Sequence, residues 1–465
     1  MACRTGGECQ SGCYKEEEEN GTNEAVKVVS SRDDDDDVNR NKIDKHLCIK
    51  CKCNQPISIT NPTAAAAAAF SDASRFCIDC FRNNLFGKFR FAITSNAMIS
   101  PSDKVLVAFS GGPSSRVAIE FVREIQHKAQ KNFDASRDRS LAVFGIGVAF
   151  INESDAHTET SHELDEAIEE MKLIVSNLDP PKKNFHVASL GSLWSSDSKY
   201  RLKELVNAVN DVTGREDLLL QLRMLSLQKI ALENGYNKLL LGSCTSRLAC
   251  HVLTATVKGK GYSLAADIQY VDARWEVPVL LPLRDCLTQE LNLLCCLDSL
   301  KTVEVFERKP SGINGLVTSF VKLLQEENPS RESTIVRTAG KLIPFQFNMI
   351  PDSDDCNGIL SSERRQKKYN QKFDESLPPD SFCAICNSPL DKSDNDLADS
   401  KTIEGMCCFS CQFEILPQDT SSMEQFYSLL PNPIAAKTKH GGYDNQRWLR
   451  EQIQDCLLSD DENGV

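Results

Sequence analysis

Long apolar runs are missing from this 465-residue sequence. The longest apolar stretches, such as residues 105–109 and 141–150, are far shorter than the roughly 20 residues that a transmembrane helix requires. The N-terminus also lacks the apolar core of a secretory signal, and it is too acidic for a transit peptide. These absences predict a cytoplasmic protein with no membrane association.

An excess of positive charge is missing as well. The chain has 53 lysines and arginines against 66 aspartates and glutamates, a formal net charge of −13. General nucleic-acid affinity is therefore disfavoured, because it depends on the neutralisation of phosphates by Lys and Arg. Much of the acidic excess lies in runs at residues 16–19, 33–37 and 460–462, which are predicted to be solvated tails. Any nucleic-acid contact must then be local or shared with a partner.

Length and composition predict one large domain with smaller modules on either side, because 465 residues exceed one ordinary core. The ends are polar and acidic, the middle alternates apolar and amphipathic stretches, and cysteine pairs concentrate in two places. The predicted parts are an acidic disordered tail at 1–45, a four-cysteine module at 46–95, an α/β domain at 100–328, a polar linker at 329–380, a cysteine-rich module with a short helix near 446–457 at 381–455, and an acidic tail at 456–465.

Twenty cysteines in a chain expected in the reducing cytosol favour metal binding over a disulfide framework. Two sets of paired Cys-x-x-Cys motifs each supply four thiolates for a closed tetrahedral zinc site, which predicts a structural rather than a catalytic metal. Cys53 is an alternative to Cys51, and Cys407 is an alternative to Cys408; reduced surface thiols are the alternative to metal binding. The predicted zinc ligands are Cys48, Cys51, Cys77 and Cys80 in the first set and Cys383, Cys386, Cys408 and Cys411 in the second.

Residues 103–300 alternate strand-like apolar runs with amphipathic helical stretches, the pattern of βαβ units. This pattern predicts an α/β fold with a doubly wound parallel sheet, whose ligand crevice lies at the carboxyl ends of the strands. Ser110 and Gly242 follow two of the predicted strands and are expected at that crevice. Strands are predicted at 105–108, 141–148, 184–188 and 238–241, and helices near 114–130, 160–177, 198–210 and 215–234.

A strand, a glycine-rich turn and a helix start follow one another in residues 104–118. Glycines let the backbone approach an anion closely, hydroxyls add donors, and a helix N-terminus favours negative charge. The turn is neither a Walker loop nor a dinucleotide-binding Gly-x-Gly-x-x-Gly motif, and a purely structural Ser-Gly-Gly turn is the alternative. The predicted phosphate-binding residues are Ser110, Gly111, Gly112, Ser114 and Ser115.

The segment 110–115, Ser-Gly-Gly-Pro-Ser-Ser, resembles the Ser-Gly-Gly-x-Asp-Ser loop of the PP-loop ATP pyrophosphatases, which have the HUP-type, adenine nucleotide α-hydrolase-like fold. Ser114 stands where that superfamily has Asp. Residues 238–249 resemble the strand and the Gly-His-Asn-x-Asp-Asp segment of its tRNA-thiolating branch. Ser246 and Arg247 stand at the two acidic positions of that segment.

A third landmark of the catalytic tRNA thiolases is a Cys-x-x-Cys-Gly sequence followed by two arginines. Only Arg223 matches it, in the predicted helix around residues 218–224. The resemblance therefore implies the phosphate-loop fold with no catalytic residue in place, and it leaves ATP binding open.

The degenerate loop, the sequence Pro-Val-Leu-Leu-Pro-Leu-Arg-Asp at 278–285 and the cysteine modules together resemble the eukaryotic cytoplasmic tRNA 2-thiolation protein 2 family, over residues 46–455. The resemblance implies a heterodimer with a catalytic thiolase subunit. It also implies sulfur transfer from a thiocarboxylated ubiquitin-related modifier to C2 of the wobble uridine in tRNAs for Lys, Glu and Gln. Two alternatives stay open: an active PP-loop ATP pyrophosphatase or sulfurtransferase, and a zinc-dependent scaffold without a tRNA role.

A basic cluster in the linker is the predicted contact with tRNA phosphate. A solvated basic linker or a localisation signal is the alternative interpretation. The residues of this cluster are Arg364, Arg365, Lys367 and Lys368.

Overall fold

The computed structural model describes residues 47–57, 73–135, 143–156, 161–178, 181–194, 198–303, 310–328, 330–342, 382–390 and 405–440. The two predicted acidic tails, the basic cluster at 364–368 and the predicted helix near 446–457 lie outside the described residues. Among the described helices, none is both long enough and apolar enough to cross a membrane.

Six strands form one sheet in the order β3-β2-β1-β4-β6-β5. All neighbouring pairs are parallel except β5 with β6, which is antiparallel. The predicted mixed α/β fold with a largely parallel sheet is confirmed. The strands are β1 (Lys104–Ala108), β2 (Gly145–Asn152), β3 (Asn184–Ser189), β4 (Lys238–Leu240), β5 (Val271–Asp272) and β6 (Val279–Leu280).

Two features of the sheet differ from the prediction. Strand β2 begins and ends four residues later than predicted, because the polar end Asn152 is still paired with β3. Strands β5 and β6 were not predicted at all. Each has only two residues, too few for apolar alternation to appear in the sequence.

Thirteen α-helices occur within the described residues, and α2 to α5 correspond to the four predicted helices. Their bounds are α1 (Ile78–Ser95), α2 (Pro113–Ala135), α3 (Ser161–Ser176), α4 (Ser198–Ala208), α5 (Val212–Glu233), α6 (Thr245–Val257), α7 (Gly261–Asp267), α8 (Thr288–Leu297), α9 (Gly312–Glu327), α10 (Ser330–Ala339), α11 (Phe409–Glu414), α12 (Thr420–Leu429) and α13 (Asn432–His440).

Strands β1, β2, β4, β5 and β6 are largely buried on both faces, as parallel sheets generally are, whereas the edge strand β3 is only partly covered. Successive residues of a strand point to opposite faces, so Leu106 enters one apolar cluster while Val105 and Val107 enter the other. Helices α1, α2, α3 and α8 cover the second face. Helices α4, α5, α6, α9 and α10 cover the first face, together with the C-terminal segment, by which we mean residues 382–390 and 405–440.

The C-terminal segment is joined to the α/β core by close contacts. The indole Nε1 of Trp194 donates a hydrogen bond of 2.9 Å to the carbonyl oxygen of Leu429. A Cβ at Gly214, in the first turn of α5, would clash with the carbonyl oxygen of Glu414. Phe426 is completely buried in the same apolar cluster. This segment therefore forms part of the main core.

Candidate metal centres and phosphate loop

Four thiols come together at the start of α1, and we call them the N-terminal cluster: Cys48, Cys51, Cys77 and Cys80. Their sulfur atoms all lie within 4.8 Å of one another, and the Cys51 and Cys77 sulfurs are 3.8 Å apart. Four ligands at a Zn–S distance of about 2.3 Å on a tetrahedron have sulfurs separated by about 3.8 Å. The spacing of the thiols thus suits a tetrahedral metal ion.

The local backbone explains how the N-terminal cluster forms. The N–H of Lys52 donates to the carbonyl oxygen of Cys48 at 2.9 Å, and Lys52 has a left-handed φ of 54°, which closes the turn of the first pair. Cys77 is the N-cap of α1, and Cys80 lies in its first turn. The second pair is therefore presented by the start of a helix.

The thiols of the N-terminal cluster ionise unequally. Burial raises the pKa of Cys48, but hydrogen bonds from the backbone N–H groups of Cys51 and Cys77 outweigh it and lower the pKa to about 6. Burial and the neighbouring thiols raise the pKa of Cys80 to about 12. Four thiolates at this spacing repel one another, so a cation among them would favour the fully ionised form.

The C-terminal cluster consists of Cys383, Cys386, Cys408 and Cys411. Its sulfurs also lie within 4.8 Å of one another, and those of Cys386 and Cys408 are 3.5 Å apart. The construction repeats that of the N-terminal cluster. The N–H of Asn387 donates to Cys383 O at 3.0 Å with a φ of 57°, and Cys408 and Cys411 occupy the N-cap and first turn of α11.

Each cluster takes one of the two cysteines that sequence spacing left open. Cys51 belongs to the N-terminal cluster, whereas the exposed thiol of Cys53 donates to the carbonyl oxygen of Cys51 at 3.0 Å. Cys408 belongs to the C-terminal cluster, and Cys407 is buried beside it. Cys407 also interacts with the thiol of Cys383, but the four sulfurs that lie within 4.8 Å of one another include Cys408 and not Cys407.

Two lysines lie beside the C-terminal cluster. Burial opposes the charge of Lys260, but Asp217 and the thiols of Cys411 and Cys386 outweigh it and raise the pKa of this lysine. Burial lowers the pKa of Lys437, while Cys383 and Cys386 oppose that change. A divalent ion held by four thiolates carries a formal charge of −2, so nearby cations stabilise such a site.

The phosphate loop joins β1 to α2, and the Ser115 hydroxyl links two of its backbone groups. The Ser115 hydroxyl donates to the carbonyl oxygen of Gly112 at 2.9 Å and accepts the N–H of Ser110 at 3.3 Å. Gly111 has a φ of 84°, and a Cβ there would clash with the carbonyl oxygen of Val303. The N–H of Val303 donates to Gly111 O at 3.0 Å. A neighbouring backbone segment thus lies directly against the loop.

Two other glycines at the carboxyl ends of the strands differ in whether a side chain would fit. A Cβ at Gly242, just after β4, would lie 2.8 Å from the backbone nitrogen of Ser115, so this position requires glycine to let the two loops approach. A Cβ at Gly112 would meet only the Ser110 hydroxyl at 3.8 Å, an ordinary contact. Gly112 therefore tolerates a side chain.

At two of the three positions where the PP-loop superfamily has acidic groups, this chain has serines in internal positions; Arg247 stands at the third. Ser114 is buried, with 7% of its surface exposed. The Ser246 hydroxyl donates to a carboxylate oxygen of Glu332 at 2.6 Å. Glu332 comes from α10 and is 2% exposed, and burial raises its pKa even though Ser246 donates to it. Sequence reasoning missed Glu332, because 86 residues separate it from Ser246.

At the third landmark, the remaining arginine forms an ion pair. Arg223 of α5 binds the carboxylate of Glu153, which directly follows β2, with Nη2 and Oε2 3.0 Å apart. Helix α5 contains no cysteine. The nearby thiol of Cys244 is completely buried, and burial raises the pKa of Cys250 to about 11, so neither thiol is readily ionised and accessible.

The sequence of this chain is similar to those of a known protein family. The family model described as cytoplasmic tRNA 2-thiolation protein 2 matches residues 312–440. The protein of that name from Arabidopsis thaliana is 56% identical over 475 residues, covering 100% of both chains. This chain belongs to the cytoplasmic tRNA 2-thiolation protein 2 family. The human member is 26% identical over 519 residues, covering 90% of this chain and 94% of its own.

One solved structure is similar to part of this chain. The U34-tRNA thiolase NcsA from Methanococcus maripaludis, determined with its [4Fe-4S] cluster, is 15% identical, with a TM-score of 0.48. The match covers 67% of this chain and 94% of that one.

Family membership confirms two predictions: a role in tRNA 2-thiolation and a cytoplasmic location. The stretch matched by the family model contains α9, α10 and the C-terminal cluster. The structure supports metal binding at both clusters through the spacing of four thiols.

Proposed function

We propose that this chain is the non-catalytic subunit of a cytoplasmic complex that places sulfur on C2 of the wobble uridine in tRNAs for Lys, Glu and Gln. It acts as a heterodimer with a catalytic thiolase subunit, and a thiocarboxylated ubiquitin-related modifier supplies the sulfur. Membership of the tRNA 2-thiolation family supports the process. The residues at the carboxyl ends of the strands support the assignment of catalysis to the other subunit.

One observation carries the non-catalytic role: the chain keeps the phosphate loop but lacks the acidic and thiol groups that the PP-loop tRNA thiolases have at the three landmarks. Adenylation of a uridine carbonyl needs Mg²⁺-ATP held by carboxylates, and sulfur delivery needs an accessible thiolate. Ser114, Ser246 and Arg247 stand at the three acidic positions, and α5 contains no cysteine. The carboxylate of Glu332 is buried and engaged by Ser246, which makes it a poor ligand for an incoming ion.

The loop itself then has a structural role in this subunit. Its hydroxyl and backbone groups bond to one another, Val303 lies against Gly111, and Gly242 packs on the backbone of Ser115. These contacts hold the start of α2 against β1 and β4. The predicted phosphate-binding set of Ser110, Gly111, Gly112, Ser114 and Ser115 is therefore proposed to position α2, with nucleotide binding dispensable for the reaction.

Zinc is the proposed metal in both clusters. Four thiolates on a tetrahedron suit Zn²⁺, and a site with no free position is structural rather than catalytic. The basic residues at 364–368 are proposed to contact tRNA phosphate, because the overall charge of −13 requires a local positive region for such contact.

The proposal is tested by the 2-thiouridine content of tRNAs for Lys, Glu and Gln from cells that lack the protein. We expect the modification to disappear and to return when the intact chain is supplied. An unchanged 2-thiouridine content would contradict the proposal and favour the alternative, in which the protein is a zinc-dependent scaffold that has no role in tRNA modification. The purified chain alone is expected to be inactive with tRNA, ATP and a sulfur donor; activity equal to that of the complex would contradict a non-catalytic subunit.

A further inference from the structure

The turn that carries the first two thiols of the C-terminal cluster is buried over residues 383–388. Asn387, the left-handed residue that closes this turn, is only 5% exposed. Lys52, at the corresponding position of the N-terminal cluster, is exposed to solvent. Buried polar side chains are nearly always hydrogen-bonded, so the residues around Asn387 decide how firmly the C-terminal turn is held.

Asn387 exchanges two hydrogen bonds with Arg274, which lies between β5 and β6. Nδ2 of Asn387 donates to the carbonyl oxygen of Arg274 at 3.1 Å, and Nη1 of Arg274 donates to the carbonyl oxygen of Asn387 at 3.4 Å. A third contact comes from α13, where Nζ of Lys437 donates to Oδ1 of Asn387 at 3.3 Å. The turn is therefore held by two elements outside the cluster, and 113 residues separate Arg274 from Asn387.

Arg274 is itself fixed in place. Its side chain is 4% exposed and binds the carboxylates of Asp267 and Asp272, with Nε 2.9 Å from Oδ1 of Asp272. Asp267 is held in turn by the Ser263 hydroxyl at 2.7 Å and by Nε2 of His251 at 2.8 Å. A planar guanidinium bound to two carboxylates cannot rotate without breaking these contacts, so Arg274 gives Asn387 a rigid support.

We propose that Arg274 is a positioning residue for the metal ion of the C-terminal cluster. By holding Asn387, it keeps the turn of Cys383 and Cys386 in the metal-binding shape before the ion arrives, so less conformational freedom is lost on binding. Partners placed behind metal ligands commonly change metal affinity ten- to a hundredfold. This inference rests on the proposed zinc in the cluster.

The test is retention of zinc by the full-length, zinc-loaded chain against increasing concentrations of EDTA, measured by elemental analysis. In a Cys51→Ser background only the C-terminal ion is expected to remain, so the titration reports on that cluster alone. Arg274→Lys keeps a charge for the two aspartates, but one ammonium group cannot serve both carboxylates and Asn387. Asn387→Gly keeps the left-handed turn and loses the amide. Each variant should lower the zinc affinity about tenfold or more.

Three controls separate positioning from a general loss of stability. In a Cys408→Ser background, which keeps the N-terminal ion, Arg274→Lys and Asn387→Gly should leave the zinc affinity unchanged. Lys52→Gly is the matched change in the exposed turn and should not weaken the N-terminal ion. Arg284→Lys alters a nearby arginine that donates to the carbonyl oxygen of Ile268, and zinc affinity at the C-terminal cluster should be unchanged.

Two results would overturn the positioning role of Arg274. One is that Arg274→Lys and Asn387→Gly retain the C-terminal ion as tightly as the parent chain. The other is that they weaken both ions equally, since the effect would then be one of overall stability. An intact chain that holds no zinc would instead refute the proposed metal, and this inference with it.

Discussion

The two thiol clusters have the same local construction and different surroundings. Each combines a turn with a left-handed residue, Lys52 or Asn387, and the first turn of a helix. In the C-terminal cluster, Cys383 and Cys411 are members of the main apolar core. In the N-terminal cluster the cysteines lie at the start of α1, and the apolar residues of that helix, not its cysteines, enter the core.

This difference predicts that a bound metal has a different structural effect at each cluster. The C-terminal cluster is built into the apolar core that its segment shares with the sheet, whereas the N-terminal cluster fixes the start of a helix whose apolar residues already pack in the core. Loss of the C-terminal metal should therefore damage the whole domain, and loss of the N-terminal metal should act locally.

The largest expected effect follows from Cys411→Ser. This change removes a completely buried ligand of the C-terminal cluster and leaves three thiolates in the core, so the free energy of unfolding should fall by about 5 kcal/mol or more. Cys51→Ser is the matched variant in the half-buried part of the N-terminal cluster and should cost clearly less. Urea unfolding followed by circular dichroism measures both. Equal losses would remove the distinction between the clusters.

Asp217→Asn should have the next largest effect. Asp217 accepts hydrogen bonds of 2.7 Å from Lys258 and Lys260, whose side chains are 2% and 12% exposed, and the variant leaves both charges buried without a carboxylate. We expect a loss of about 3 to 5 kcal/mol in the free energy of unfolding. Asp211→Asn at the N-cap of α5 is the control, because it also removes a carboxylate but leaves no buried cation without its charge partner.

The same pair predicts a pH dependence. Burial raises the pKa of Asp217, but Lys260 and Lys258 outweigh it and lower the pKa. A lowered pKa stabilises the folded state above the pKa of the unfolded chain, and this contribution is lost as the pH falls through the folded value. The stability difference between the intact chain and Asp217→Asn should therefore shrink in acid. A difference that grows below pH 4 would contradict this assignment.

Trp194→Phe should have a smaller effect. It removes the hydrogen bond to Leu429 O and leaves that carbonyl buried without its donor, which costs about 1 to 3 kcal/mol. The loss should appear as faster proteolysis of the C-terminal segment, with the N-terminal cluster unchanged. Trp275→Phe, at a partly buried position on the same core, is the matched control. Equal proteolysis of the two variants would exclude a specific role for the Trp194 bond.

The smallest effects are expected at the cysteines next to the clusters. Cys53→Ser and Cys407→Ala should leave the metal content at two ions per chain, because neither residue belongs to a group of four converging thiols. Cys51→Ser and Cys408→Ser should each lower it to one. Elemental analysis of the purified variants measures this. Loss of metal from Cys53→Ser would reassign the ligand.

Much of this architecture could be predicted because its signals are local. Strand β1, the phosphate loop and helix α2 follow one another within 32 residues, and each of α2 to α5 is long enough for apolar periodicity to appear. The Cys-x-x-Cys spacing predicted both clusters for the same reason. Local spacing alone did not distinguish Cys407 from Cys408, since that choice depends on where α11 begins.

The features that could not be predicted depend on distant contacts. Glu332 reaches Ser246 only because α10 packs along α6, and Val303 reaches Gly111 only after the chain has passed through α8. Strands β5 and β6 are held by their neighbours rather than by their own sequences.

The most direct test of the central claim is complementation with Gly112→Asp. The new side chain fits, since its Cβ would meet only the Ser110 hydroxyl at 3.8 Å, and its carboxylate would repel a nucleotide phosphate. In cells that lack the protein, we predict that this variant restores wobble 2-thiouridine to the level obtained with the intact chain. Failure to restore it, with the variant present at the normal level, would show that the loop takes part in the chemistry.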